Sequence, residues 1–449
     1  MMKKCLSALF FLLFTAGMAY AELKLSLTDD IQMRVGGDMR ARWEFFDRTV
    51  ISPDGMGKNH PAYQYLRVRT RLWTAFDVAE DVTFNIRLAN RVHKVSSSPA
   101  NPNDQDAATW EFPDEWYLDD CNVEIRNFLM EGLSLKIGRQ SLTLGNGMIL
   151  SDPTPFDQGR SAFTDGVVVT YKGEKDKLTI LATYDTWKDG TVFINDRNRR
   201  LRSADIFTLA TYWTHTVNEA FQFDLYYFYN DADDTHPYEA ERCHAPDEST
   251  SLHTFGARLF GKPAECFDYS LEAACQGGRS ANGGRNEGKM VDARLNFHLP
   301  DGSLGIAPVL GLEYTHFSGD KPGSRNHEGW NPILSQCPLW TEELIPILFN
   351  GNWTNMNLFR GSFALKPMEK LRCELAVTGY YADEPNASFG TLTRTGNGNF
   401  MGLLLAATVD YACHENLSFR VQLSRFNPGD YFANGHDSIW GRFEATLRF

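Results

Sequence analysis

The chain has 449 residues, with 44 Lys and Arg against 57 Asp and Glu, a formal charge of −13 at pH 7 and 13% aromatic residues. That acidity argues against nucleic-acid binding by the whole surface, although net charge does not say what lines a lumen. Mean hydropathy is negative, and past the N-terminus no run approaches the roughly 18 apolar residues of a membrane helix, so helical membrane spanning is excluded.

Lys3 and Lys4 give a basic start, residues 6–15 are apolar but too short to span a bilayer, and Ala19, Tyr20 and Ala21 form a small-x-small cleavage site. These features predict a signal peptide over residues 1–21 and an exported mature chain over 22–449. Losing Lys3 and Lys4 takes the formal charge from −13 to −15. Cys5 leaves with the peptide. Seven cysteines then remain (Cys121, Cys243, Cys266, Cys275, Cys337, Cys373 and Cys413), an odd number in an oxidising compartment and without a C-x-x-C pair. Cys373 and Cys413 fall near the same end of neighbouring predicted strands, as a disulfide or as two separate thiols.

From Ile31 to the C-terminus, alternating segments of about ten residues recur between turn residues. Tight connections are read at residues 79–81, 130–132, 172–174, 217–219, 262–264, 300–302, 366–368 and 413–416, with long polar connections between them. Short periplasmic turns and long outer loops produce that rhythm. The expected fold is therefore all-β: a transmembrane antiparallel up-and-down β-barrel of about 18 strands, one domain over 22–449. Closure removes the edges that lipid would leave unpaired. In the last segment Ile439, Phe443, Ala445, Leu447 and Phe449 alternate with Arg442, Glu444, Thr446 and Arg448, the pattern of a closing strand with lipid outside and water inside.

The same parity gathers arginines on the polar face. Arg67, Arg69 and Arg71 oppose Leu66, Val68, Thr70 and Leu72; Arg40, Arg42 and Glu44 oppose Met39, Ala41, Trp43 and Phe45. Arg87, Arg126, Arg294, Arg360, Arg372, Arg420 and Arg442 are read as inward too, because an arginine on the lipid face near the midplane costs about 2–4 kcal/mol. They either pair with Glu44, Glu124, Asp292, Glu374, Asp410 and Glu444 as a wall ladder, or leave forks at a constriction for anions. Trp43, Tyr63, Trp73, Trp187, Tyr212, Trp213, Tyr226, Tyr380, Tyr381 and Trp440 read as interfacial girdles. Trp110, Trp330, Trp340 and Trp353, in long loops, are candidates for carbohydrate contact.

One stretch runs Lys136-Ile-Gly-Arg-Gln-Ser-Leu-Thr-Leu-Gly145, then Asp152, then a loop and Phe163-Thr-Asp-Gly-Val-Val-Val-Thr-Tyr171. With the Arg-x-Arg strands at Arg40 and Arg67, Asn357 to Arg360, Ala364 to Pro367 and residues 402–411, it resembles the alginate-export family of outer-membrane proteins. The resemblance implies a monomeric barrel of about eighteen strands carrying an anionic polysaccharide outward through an arginine-rich, loop-gated constriction. By motif position it points to Arg139 and Asp165, and to Arg67, Arg69 and Arg360. Arg160 either joins that constriction or pairs with Asp152 or Asp157 in its own loop. The departure is the long apolar stretch over residues 332–349, which matches nothing that fixes a ligand.

The expected function is passive transport of an anionic saccharide or related organic anion through an arginine-lined lumen of the outer membrane of a Gram-negative cell. A general or uptake porin for small solutes is the alternative. The expected surroundings are outer-membrane lipid and lipopolysaccharide, with the barrel-assembly machinery as folding partner, and no nucleic acid, cofactor or metal. Residues 283–289 approach a phosphate-binding loop, but Met290 stands where Ser or Thr must hold magnesium. Asp231, Asp233 and Asp234 make either a loose calcium loop or a solvated acidic one. His215, His253 and His298 are isolated, which argues against an outer-membrane hydrolase.

Overall fold

A computed structural model describes residues 22–28, 31–47, 63–95, 110–111, 115–152, 163–189, 192–194, 199–200, 204–232, 249–280, 283–300, 306–332, 334–335, 353–387, 394–433 and 435–449. The proposed signal peptide, Arg160, Trp340, Cys243 and Cys337, and the acidic Asp233 and Asp234 lie outside them.

Eighteen long strands form the wall: β1 Gln32–Asp47, β2 Tyr63–Ala79, β3 Val82–Val95, β4 Trp116–Ile125, β5 Leu133–Ser141, β6 Phe163–Lys172, β7 Asp176–Asp185, β8 Ile206–Asn218 and β9 Phe221–Ala232, then β10 Ser249–Ala264, β11 Phe267–Ser280, β12 Lys289–His298, β13 Val309–Phe317, β14 Met356–Met368, β15 Leu371–Tyr381, β16 Phe400–His414, β17 Leu417–Pro428 and β18 Ser438–Arg448. Each pairs antiparallel with the next, and β18 returns to β1 in a register running from Asp38 opposite Arg448 to Asp47 opposite Ile439. The sheet is closed, so every wall strand has two neighbours and the hydrogen-bonding demand of a lipid setting is met. A short strand, Leu23–Ser26, adds to β1 below the end of β18.

Connections alternate as expected, with two residues each after β2, β8, β10, β14 and β16. The connection read as tight at 300–302 is longer, residues 299–308. Among the described residues there is no helix.

Period-two alternation sorts the faces. Outward residues such as Val421, Leu423, Phe443, Leu225, Phe255, Phe359 and Leu375 are exposed, forming the band that lipid covers. Inward residues on the loop side form the buried core: Phe46, Tyr65, Phe228, Phe317, Tyr380, Phe426 and Trp440 pack with Leu144, Met148, Leu150, Trp330, Leu334 and Trp353 from infolded connections. The hydrophobic core therefore lies inside the barrel. Tyr212, Tyr226, Tyr380 and Trp440 belong to this interior and are not interfacial girdle residues, because register turns them inward and the infolded loops need apolar partners. Trp43 is exposed on the lipid side, whereas Trp330 and Trp353 are buried in the core and unavailable to a carbohydrate. Cys373 and Cys413 are free thiols, not a disulfide.

Candidate functional site: an arginine belt and a tongue across the lumen

Alternation on β1 and β2 stacks Asp38, Arg40, Arg42 and Glu44 beside Arg67, Arg69 and Arg71, and the closing register brings Arg442 and Glu444 alongside. Arg442 reaches Glu44 at 2.6 Å and Arg42 reaches Glu444 at 2.6 Å, while Arg40 and Arg67 lie at 4.0 and 3.8 Å from the same two acids. Asp38 bridges Arg69 and Arg71 at 2.9 and 2.7 Å. On β17, Arg420 meets Asp410 at 2.5 Å. Among the described residues, seven arginines here (Arg40, Arg42, Arg67, Arg69, Arg71, Arg420 and Arg442) contact four carboxylates, Asp38, Glu44, Glu444 and Asp410. Guanidinium groups outnumber carboxylates in this set of contacts among the described residues.

The ladder continues round the barrel. Arg360 lies between Glu313 at 2.7 Å and Glu374 at 2.5 Å, Arg372 also pairs with Glu374, and Arg294 meets Asp292 at 2.9 Å. On β3, Arg87 contacts Asp119 at 2.5 Å and Asp120 at 3.9 Å. A register shift opposite Arg87 and Leu88 inserts one extra residue in β4, which lets both acids address one arginine. The wall-ladder expectation therefore describes the pairing, with Glu44, Glu374, Asp410 and Glu444 in it, and Glu124 held by Lys136 at 3.8 Å.

Three of the sequence-predicted residues sit elsewhere. Arg139 grips Asp165 through two parallel contacts of 2.9 and 2.8 Å, and its guanidinium covers the Phe163 ring at 3.7 Å. Register pairs Arg139 with Asp165 and Ile137 with Val167, so this pair alternates with Lys136 and shares the face of the exposed Ile137 and Val167. It staples β5 to β6 instead of lining the pore. Arg126 follows β4 and donates to Thr83 Oγ1 at 3.1 Å and to the Glu80 carbonyl at 2.9 Å, tying one short turn to the next.

After β5 the chain turns into the lumen. Residues 142–152 form a tongue closed at its base by Leu144 N–H donating to the Leu150 carbonyl at 3.1 Å and by Asp152 N–H donating to Thr143 Oγ1 at 3.0 Å. Its tip is Gly145, Asn146 and Gly147, with φ of 57° and 78° at the two glycines. A Cβ at Gly145 would stand 2.4 Å from Tyr212 Oη, so only glycine lets the tip reach the far wall. There Asn146 accepts from Arg258 Nη1 at 2.6 Å and donates to Ser270 Oγ at 2.9 Å, and Met148 Sδ lies 3.8 Å from Arg294. Behind the tip, Leu334 and Ser335 run parallel to Leu150 and Ser151, and Ser335 Oγ donates to the Gly147 carbonyl at 2.6 Å. The apolar stretch of the β13–β14 connection, so far as it is described, thus backs the tongue within the lumen.

Sequence reading missed Asp38, Asp119, Asn146, Asp224 and Arg258. Arg258, flanked by Ala257 and Leu259, carries the same alternation as Arg42 and was open to the same argument. Asn146 had no signal beyond its two flanking glycines, since its partner is distant in the chain.

Comparison with known proteins places this architecture. The family model described as alginate export matches residues 31–445. Comparison with curated protein sequences gives no match. Among solved structures, OpdK of Pseudomonas aeruginosa with vanillate is 13% identical, covers 92% of this chain and 98% of its own, and has a TM-score of 0.58. OccK2 (OpdF) of the same organism, in complex with glucuronate, is 13% identical with the same coverages and a TM-score of 0.57. OccAB1 of Acinetobacter baumannii is 11% identical, covers 92% and 96%, and has a TM-score of 0.58. At such identities the likeness is one of fold.

Proposed function

Because the chain belongs to the alginate-export family, we propose that it is an outer-membrane channel that passes anionic saccharides, or organic anions of the same carboxylate chemistry, down their gradient. The observation that carries this reading is the cluster of inward arginines on β17, β18, β1 and β2. Guanidinium stays charged and binds carboxylate through two parallel donors, so an anion moves between forks while Asp38, Glu44 and Glu444 keep each stop weak enough to leave. Vanillate and glucuronate, held by two structurally similar porins, are both carboxylates. Family and fold alike favour a channel over an enzyme and the outer membrane as its site.

The loop-side core favours small cargo. Phe46, Tyr65, Trp330, Trp353 and Trp440 are buried together inside that half of the barrel, which suits a monomeric uronate or aromatic acid better than a polymer chain. Planar-bilayer recording decides between them. Reversal potentials in a salt gradient should lie toward the anion, and galacturonate should block or modulate current; block by its polymer at lower concentration would favour the export reading. Cation preference would remove the proposal.

A further inference from the structure

Arg258 on β10 serves two acceptors of different strength. Its Nε and Nη2 reach Asp224 Oδ2 at 2.7 and 2.6 Å, while its Nη1 reaches only the neutral amide oxygen of Asn146 at the tongue tip. Asp224 is fully buried and also accepts the Tyr212 hydroxyl at 2.6 Å, so the guanidinium is fixed to the wall. The tip is backed by Ser335 on the Gly147 carbonyl and by buried Met148, and against the far wall its polar contacts are made by Asn146. Asn146 has the Arg258 contact and one hydroxyl, Ser270, and it stands between two glycines whose backbones swing without a Cβ penalty.

A hydrogen bond from guanidinium to carboxylate is roughly twice as strong as one between neutral groups and stronger than one to an amide. We infer that Arg258 is the residue through which the channel senses its solute. An arriving carboxylate takes Nη1 from Asn146, the tip lifts from the far wall, and the aperture that the tongue restricts widens. The surrounding groups keep the exchange reversible. Tyr226 donates to Glu272, Arg294 contacts Asp292 Oδ2 at 2.9 Å, Glu313 is engaged by Arg360, and the oxygens Asp224 Oδ1 and Glu272 Oε2 are buried without a hydrogen-bond partner among the described residues. Those acids repel the same carboxylate that Arg258 attracts, so the solute is bound briefly and passed on. This role rests on the anion-channel reading and adds a specificity-determining residue to it.

Single-channel recording in potassium chloride with increasing galacturonate tests it on three proteins, each first shown by heat-modifiable gel migration to be folded. In the unaltered channel galacturonate should raise the fraction of time in a larger conductance state. Asn146→Ala should be in that state without galacturonate, with conductance higher by about 1.5-fold or more. Asn146→Asp, which gives the tip its own carboxylate, should stay closed until galacturonate is about tenfold more concentrated. Equal conductance and equal galacturonate response in all three, in an anion-selective channel, would overturn the sensing role alone. A cation-selective wild type indifferent to galacturonate would remove the anion reading and the sensing role together.

Discussion

Single side chains in this barrel act through the partners that register gives them. Glu44 and Arg442 are both essentially inaccessible, and removing Arg442 takes from buried Glu44 its 2.6 Å partner and leaves Arg67 at 3.8 Å. Arg442→Ala should therefore cost about 3–5 kcal/mol, read as a lower midpoint for unfolding in detergent and urea. Asp38 makes the opposite case, since it is the carboxylate shared by Arg69 and Arg71. Asp38→Asn adds one net positive charge to the belt, so the reversal potential in a salt gradient should move further toward the anion. An unchanged potential would place the belt outside the conducting path. Arg69 and Arg71 were legible from Leu66 to Leu72, because an alternation of arginine with aliphatic residues has one economical solution in lipid. Asp38 was not, because its value comes from standing beside a different strand.

At the level of the strand, alternation is the whole rule until a bulge or a turn breaks it. On β17, Val421 and Leu423 face lipid while Arg420 and Gln422 face the lumen. Leu423→Arg should cost about 2–4 kcal/mol in vesicle refolding, whereas Leu423→Phe should be close to neutral. Equal tolerance of both would mean that the face assignment is wrong. The extra residue in β4 breaks the alternation opposite Arg87 and Leu88. Motif position pointed to Arg139 and Asp165 as constriction residues. What the motif encodes is a bidentate staple between neighbouring strands on the face of Ile137 and Val167.

On the scale of the molecule, a closed wall and an infolded interior do separate work. The wall carries the charged ladder, and the tongue with its backing segment crosses the lumen. Replacing residues 144–150 by two glycines should leave the barrel closed, since none of those residues pairs in the wall, and should raise conductance by about twofold or more. Conductance unchanged by that deletion would show that the loop-side aromatic core, not the tongue, is the limiting constriction.

The sequence by itself determined the closed antiparallel barrel of about eighteen strands, the lipid band and the inward arginines of β1, β2, β17 and β18, because these follow from a local period of two and from the cost of charge in lipid. Only the tertiary structure decided which acid each arginine meets, that Tyr212, Tyr226, Tyr380 and Trp440 turn into a core within the lumen, and that Asn146 crosses to Arg258. The contact of Asn146 with Arg258 and those of Arg42 and Arg442 across the closing seam join residues far apart in the chain. Their geometry is set by barrel closure and by loops folding inward, and no local pattern of residues records either.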